Sequence, residues 1–170
     1  MLNSVNLEWE PGRLTAVATD RYRLCVGEVP VAGLEDSGSI LLPLDDVREL
    51  IRALPKPKRG PVAPVAVSVG EREATFTGGG WTRNIDALDA TFVRWSAVMW
   101  DHETERGDVN RIGFNPTLLA GMSKVPTEKG EPWVLNFKEP KKSAIATCHV
   151  GDGSDRIDWR YLIMPVRLPD

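Results

Sequence analysis

One order of elements occurs twice along this chain, and it restricts the folds that the chain can adopt. Residues 39–87 read as a short strand, an amphipathic helix and three further strands. The same order recurs at 111–167, with a short strand at 111–114, a helix whose apolar stripe runs from Leu118 to Val125, and a last strand at 156–167. Residues 5–29 read as three strands that lack a leading strand and helix. Hairpin-length connections indicate antiparallel sheets, and the apolar stripe of each helix indicates that the helices cover one face. We therefore predict an α+β fold of repeated strand-helix-three-strand units.

The two helices carry recognisable boundary signals. In the first, apolar residues recur at helical spacing from Leu44 to Leu54, and Asp45 and Asp46 suit the positive end of the helix dipole. In the second, Asn115 is a favourable N-cap that is followed by a proline. These signals support the same element order in both repeats.

The repeats divide the chain into three parts. A partial unit of three strands is expected at 1–31, a complete unit at 32–100, and a second complete unit at 101–170 that ends in an apolar strand. The first residues read like the end of a helix-to-strand turn, so we expect a further segment upstream.

Composition favours a folded cytoplasmic protein. Hydrophobic residues make up 42% of the chain, which is enough for a sizeable core. No apolar stretch approaches the roughly 20 residues of a membrane span, and no amino-terminal signal region is evident. Cys25 and Cys148 are far apart and are expected to stay reduced. The net charge of -3 argues against nucleic-acid binding over the whole surface but allows one basic face.

Signals for catalysis or metal binding are weak. The glycines at 78–80 lead into a strand and lack the Lys-Ser/Thr of a phosphate-binding loop. His102, Glu103 and Glu105 match no established ligand spacing, and His149 has no nearby nucleophile or base. We therefore predict a protein without enzymatic activity, metal or cofactor. The alternative is an unrelated enzyme or metal protein whose elements repeat by chance, and a metal assay tests this alternative.

Three segments of the chain match the signature of one protein family. They are Ala18-Thr19-Asp20-Arg21-Tyr22-Arg23-Leu24, the stretch from Leu88-Asp89-Ala90-Thr91-Phe92 to Met99, and the ending Tyr161-Leu162-Ile163-Met164-Pro165-Val166-Arg167-Leu168, with Gly113-Phe114-Asn115 as a weaker fourth match. Together they resemble the bacterial DNA polymerase sliding clamp, the beta subunit of the replicase. The resemblance covers most of the chain and implies the DNA-clamp fold, whose helices line a central hole.

The resemblance also implies that this chain is a shortened member, either phage-type or incomplete at its amino terminus. Family members carry more units in each chain and close as dimers. The unit normally found between the second and third units seen here is expected to be absent, because only residues 100–108 separate them.

A peptide-binding cleft follows from the resemblance. In the family, replication and repair proteins insert a short motif with leucine or phenylalanine side chains into an apolar cleft. The matching positions here are Thr19, Tyr22, Arg23, Leu24, Pro43, Val47, Phe92, Asn115, Leu118, Leu162, Met164, Pro165, Val166 and Arg167. The alternative interpretation is that Leu24, Val47, Leu118 and Leu162 are ordinary core residues.

A DNA-facing surface on the helices is the second implied site. Clamps hold DNA loosely through basic groups near the phosphates. The candidate residues are Arg48, Arg52, Lys56 and Lys124. Because Asp45, Asp46 and Glu49 share the first helix, a merely solvated helix face is the alternative.

The resulting hypothesis is a DNA polymerase processivity factor-like clamp. It is expected to bind DNA polymerase and other proteins with clamp-binding motifs, to contact double-stranded DNA weakly and non-specifically, and to encircle DNA as a homo-oligomer, with no membrane partner. The main alternative is a clamp-like decoy or adaptor that binds the same motifs without encircling DNA. The mass in solution separates the two, since a monomer cannot encircle DNA.

Overall fold

The computed structural model describes residues 2–54, 64–127, 130–153 and 156–168. The strands in these residues are β1 (Ser4–Glu10), β2 (Arg13–Thr19), β3 (Arg23–Pro30), β4 (Gly38–Pro43), β5 (Ala66–Val69), β6 (Glu73–Gly78), β7 (Trp81–Asp86), β8 (Val134–Asn136), β9 (Ala144–Val150) and β10 (Ile157–Ile163). The helices are α1 (Leu44–Ala53) and α2 (Pro116–Ala120), with 3-10 helices at Trp95–Ala97 and Gly121–Lys124. The predicted α+β fold class is confirmed.

Two antiparallel sheets account for these strands. The larger has seven strands in the order β4-β1-β2-β3-β10-β9-β8, and the smaller has three in the order β5-β6-β7. In the larger sheet β3 pairs with β10, which places Leu24 opposite Leu162. At its edge β4 pairs with β1, which places Leu42 opposite Val5. The larger sheet therefore combines strands from residues 4–43 with strands from residues 134–163, and the strands between them form the smaller sheet.

Both helices lie on one face of the larger sheet, which we call the helix face. Residues opposite one another on neighbouring antiparallel strands share a face, so the registers place Leu42 and Ile163 on the helix face. The α1 cluster joins α1 to both sheets through buried Ile40, Leu42, Leu50, Ala74, Phe76 and Ile85. The α2 cluster joins α2 to the far half of the sheet through buried Met122, Ala146, Tyr161 and Ile163. Each large apolar side chain buried in this way contributes about 1.5–3 kcal/mol.

The opposite face of the larger sheet is covered by residues 88–99, which we call the strap. The strap begins where the backbone N–H of Leu88 donates to the carbonyl of Leu41 over 2.8 Å. Farther along, its side chains Phe92, Trp95 and Met99 pack on four buried residues, Val17, Leu24, Val26 and Leu162. Both faces of the central strands are therefore apolar and covered.

Polar contacts fix the middle of the strap. The indole Nε1–H of Trp95 donates to Glu8 Oε1 over 2.8 Å. The guanidinium of Arg160 lies 5.6 Å from the centre of the Trp95 ring and forms an ion pair with Glu28 at 2.8 Å. Glu8, Glu28 and Arg160 belong to β1, β3 and β10, so these contacts connect Trp95 of the strap to three strands of the sheet.

Three predicted elements are shorter in the structure. The strand expected at 111–114 is reduced to a single bridge between Gly113 and Val166. Strand β10 ends two residues before Pro165, which has no N–H to donate to a sheet. Helix α2 gives way after Ala120 to a 3-10 helix, and Pro126 cannot continue it.

The sheets cross the predicted unit boundaries. Strand β4, from the part predicted at 32–100, pairs with β1, and β3 pairs with β10 from the part predicted at 101–170. The division into 1–31, 32–100 and 101–170 stays a prediction about the sequence repeats. No helix within the described ranges has the length and hydropathy needed to cross a lipid bilayer.

Candidate functional site

The turn between β2 and β3 is held by its own side chains. Carboxylate oxygen Oδ1 of Asp20 accepts hydrogen bonds from the backbone N–H groups of Tyr22 and Arg23, at 3.1 and 3.0 Å. The hydroxyl of Thr19 donates to the carbonyl of Arg23 over 2.8 Å. Arg21 takes a positive φ of 78°, which closes the turn. The sequence of this segment therefore fixes the turn and leaves the Tyr22 side chain 64% exposed.

Arg23 connects the turn to α2 through Tyr161. Its Nε donates to Asp20 Oδ2 over 2.7 Å, and its Nη1 donates to the Tyr161 hydroxyl over 3.3 Å. That hydroxyl donates in turn to the carbonyl of Leu118 over 3.1 Å. The hydrogen bond with Tyr161 is the main cause of a raised pKa for Arg23, and burial raises the pKa of Tyr161. Arg23 stays charged, and Tyr161 stays neutral, at physiological pH.

Residues 164–168, which we call the tail segment, lie beside this turn. The backbone N–H of Met164 donates to the carbonyl of Tyr22 over 2.9 Å, and that of Val166 donates to the carbonyl of Gly113 over 2.8 Å. The tail segment is therefore held on both sides. Its side chains Met164 and Val166 are 42% and 43% exposed, so they form apolar surface.

The tail segment also lines a cavity of about 680 Å³. The other walls come from the segments before α2 and before β9. The full lining consists of Arg111, Ile112, Gly113, Pro140, Lys141, Met164, Pro165, Val166, Arg167 and Leu168. Four of the predicted peptide-site residues, 164–167, thus share one cavity.

Other predicted peptide-site residues lie beneath the surface or in different clusters. Leu24 and Leu162 are 4% and 5% exposed, because the strap covers them, with Phe92 among the covering side chains. Val47 packs on the α1 cluster and Leu118 on the α2 cluster.

Pro43 and Asn115 stand at helix starts. Pro43 immediately precedes α1 and lies opposite Ser4 in the sheet. The side-chain oxygen of Asn115 accepts from the Thr117 N–H over 2.9 Å, which confirms it as the N-cap of α2. The structure thus brings together the turn at 19–24, the start of α2 and the tail segment, whereas Pro43 and Val47 lie at α1.

Two strap residues were missed in the predicted site, Trp95 and Met99. They contact the same four buried residues as Phe92. Trp95 follows Phe92 by three residues and Met99 follows Trp95 by four, and this spacing was a usable signal, because apolar residues three or four apart share one face of a helical turn. Trp95 does lie in a 3-10 helix.

Three of the four predicted DNA-facing residues lie on or beside the two helices of the helix face. Arg48 on α1 forms an ion pair with Asp45 at 3.0 Å, while Arg52 in the last turn is exposed. Lys124 ends the 3-10 helix after α2. Lys56 lies outside the described residues. Within the described ranges, no group of three or more His, Cys, Asp or Glu side chains is arranged to hold a metal ion.

Comparison with known proteins agrees with this architecture. The family model for the DNA polymerase III beta subunit, central domain, matches residues 1–93. No curated protein matches the sequence. Among solved structures, the DNA polymerase sliding clamp from Pseudomonas aeruginosa is similar over 98% of this chain, with a TM-score of 0.76 at 20% identity. The beta subunit from Thermotoga maritima gives 0.70 at 18%, over 99% of this chain, and the sliding clamp from Bacillus subtilis gives 0.74 at 15%, also over 99%.

The same comparisons show a difference in size. This chain covers 58% of the Pseudomonas aeruginosa and Thermotoga maritima chains and 57% of the Bacillus subtilis chain. The family model accounts for residues 1–93, more than half of the 170 residues, and the fold similarity extends over nearly all of them. The chain belongs to the DNA polymerase III beta subunit family, the bacterial sliding clamps.

Proposed function

We propose that this protein is a non-enzymatic, processivity factor-like clamp that binds short peptide motifs of replication and repair proteins, DNA polymerase among them. The supporting observation is the tail segment beside the turn at 19–24. Exposed Tyr22, Met164 and Val166 lie on backbone that is held by hydrogen bonds to both neighbours. A preformed apolar surface of this kind suits an extended peptide with leucine and phenylalanine side chains.

A fluorescently labelled peptide with one leucine and one phenylalanine tests the peptide site. We expect binding in the micromolar range, because a short segment is ordered when it docks. Substitution Met164→Ala should weaken binding by about tenfold or more, as truncation of an anchor side chain does. Removal of residues 164–170 should abolish binding. Fluorescence anisotropy measures each affinity.

The control for this experiment is Val134→Ala. Val134 is 53% exposed on β8, at the far edge of the sheet, so its truncation removes a comparable apolar side chain outside the proposed site. Binding that persists after removal of the tail segment would refute the assignment. An equal loss in Val134→Ala would point to a general effect on the fold.

Encirclement of DNA by a homo-oligomer is the second part of the proposal. The helix face carries the exposed side chains of Arg48 and Arg52, as expected for a surface directed at phosphates. Asp45, Asp46 and Glu49 on the same helix limit its positive potential. Retention on DNA should therefore depend on closure of a ring more than on charge, and short linear duplexes should bind weakly.

A clamp-like decoy or adaptor is the second candidate function. The observation that favours it is the mixed charge of α1, where Asp45, Asp46 and Glu49 accompany the two arginines and limit the attraction to DNA phosphates. Such a protein would bind the same peptide motifs as a monomer and would not be retained on circular DNA. Its oligomeric mass and its retention on a circular duplex distinguish it from a ring.

A further inference from the structure

The cavity beside the tail segment has an unusual balance of charge. Three cationic side chains line it, Arg111, Lys141 and Arg167, and its described lining contains no carboxylate. By contrast, three other cavities on the described part of the chain are each lined by at least two carboxylates. A cationic cavity on a chain with a net charge of -3 stands out from its surroundings.

The three cations also lack an ion-pair partner among the residues that the structure describes. Arg111, Lys141 and Arg167 are exposed, and none makes an ion pair or side-chain hydrogen bond with the described residues. Most other described arginines are neutralised nearby, for example Arg83 by Glu49 and Arg160 by Glu28. Unpaired cations in a concave site attract anionic groups, because no internal carboxylate competes for them.

Apolar side chains complete the cavity. Ile112, Met164, Val166 and Leu168 line it together with two prolines. Gly113 permits this packing, since a Cβ at that position would lie 2.6 Å from Leu168 Cδ2 and 3.0 Å from Val166 Cγ2. The cavity therefore offers apolar contacts and cations within the same lining.

We propose that this cavity binds an acidic segment of a partner peptide, next to the leucine and phenylalanine side chains that anchor the peptide. The inference rests on the proposed peptide binding and adds the chemical class of the partner's flanking residues. A peptide suits the cavity better than DNA does, because a phosphate backbone needs the cations but has no use for the apolar lining.

Two labelled peptides with the same leucine and phenylalanine core test the inference. One carries four flanking Asp and Glu residues, and the other carries four Asn and Gln residues in their place. At low ionic strength the wild-type protein should bind the acidic peptide about tenfold more tightly, since each exposed ion pair supplies a factor of a few. The ratio of the two affinities should fall towards one as the salt concentration is raised.

The double variant Arg111→Ser with Lys141→Ser locates the preference. We expect it to reduce the ratio of the two affinities to about two, because one of three cations remains. The control is Arg52→Ser with Lys124→Ser, which removes the same charge from side chains that do not line the cavity. The control should keep the full ratio. If the double variant does not fold, the salt dependence of the wild-type ratio decides.

Each contrary outcome has a distinct meaning. If the wild-type protein binds both peptides equally well, the inference is wrong and the proposed peptide binding stands. If neither peptide binds, both are wrong. A ratio that falls only in the control variant places the acidic contact elsewhere. A double variant that loses binding to a short DNA duplex while keeping its preference for the acidic peptide assigns the cavity to nucleic acid and overturns the inference.

Discussion

Tyr161 joins three separate segments of the chain through one hydroxyl group. It accepts from Arg23, at the turn after β2, and donates to the carbonyl of Leu118 in α2. Gly121 lies directly against this hydroxyl and against Nη1 of Arg23, so a Cβ there would collide with both atoms. Glycine is needed here for space, since its backbone angles are helical.

Substitution Gly121→Ala should therefore destabilise the protein by about 1–3 kcal/mol, as overpacking a close contact does. The matched control is Gly70→Ala, where an added Cβ would meet its nearest atom at an ordinary 3.6 Å. Urea denaturation measures both free energies of unfolding. Equal free energies of unfolding for the two variants would show that Arg23 and Tyr161 can move away from the added Cβ without loss of stability.

The thiol of Cys25 provides a pH-dependent prediction. Burial raises the pKa of this thiol from its ordinary 9.0 to about 11. A raised pKa in the folded state means that folding favours the neutral thiol. The contribution to stability is present below pH 9 and is lost as the pH rises through about 11. The free energy of unfolding should fall less over this interval in Cys25→Ser than in the wild type, and urea titrations at each pH compare them. Identical pH profiles would contradict the assignment.

The strap is the element that the sequence describes least well. The segment itself was recognised, because the stretch from Leu88 to Met99 resembles a known signature. Its packing was not predicted, since the residues that it covers, such as Val17 and Leu162, lie on strands far apart in the sequence. Periodicity reports which residues share a face, but it does not report which distant segment covers that face.

Substitution Trp95→Ala tests how strongly the strap is attached. It removes the indole from its packing on the sheet, the hydrogen bond to Glu8 and the stacking with Arg160. We expect a loss of about 2–4 kcal/mol, because the side chain is large and partly buried. The control Val98→Ala truncates a strap residue that is 53% exposed and should cost less than about 0.5 kcal/mol. Chemical denaturation is the measurement, and similar losses for the two variants would show that Trp95 does not anchor the strap.

At the scale of the whole molecule, two kinds of strand pairing occur. The strand before α1, β4, pairs with β1, the first strand of a group of three, and the last strands of two groups, β3 and β10, pair with each other. Strands β5 and β8 are also first strands of a group, and β7 is also a last strand, but none of the three has such a partner within the described residues. Each of them therefore has an open outer edge. The repeats in the sequence predicted the strands and their hairpins, which are local. The β3–β10 pairing was not predicted, because the two strands lie more than a hundred residues apart.

We expect copies of the chain to associate through the open edge of β7. Because β3 pairs with β10, last strand to last strand, we expect β7 to pair with a strand of a second copy. Thr82→Lys with Asn84→Lys places charges on exposed positions of this edge and should reduce the oligomer measured by analytical ultracentrifugation, since edge lysines disfavour pairing. Retention on circular DNA should fall in parallel.

Thr91→Lys with Thr117→Lys adds the same charge at exposed positions outside the strands and is the control. Dissociation in the control as well would assign the effect to net charge. A wild-type protein that sediments as a monomer at micromolar concentration would favour the decoy or adaptor function over the ring.

The pairing of β3 with β10 has a consequence for the order in which the chain folds. Strand β3 ends at Pro30 and its partner begins at Ile157, so a ribosome must synthesise more than a hundred further residues before the two can meet. Until then β3 can pair only with β2, and its other edge, where Leu162 lies opposite Leu24 in the folded sheet, has no partner strand. Contacts of such long separation slow folding, since the intervening chain must first close into a loop. A chain truncated before β10 would thus hold an incomplete sheet that is prone to aggregate, and would not be a smaller working protein.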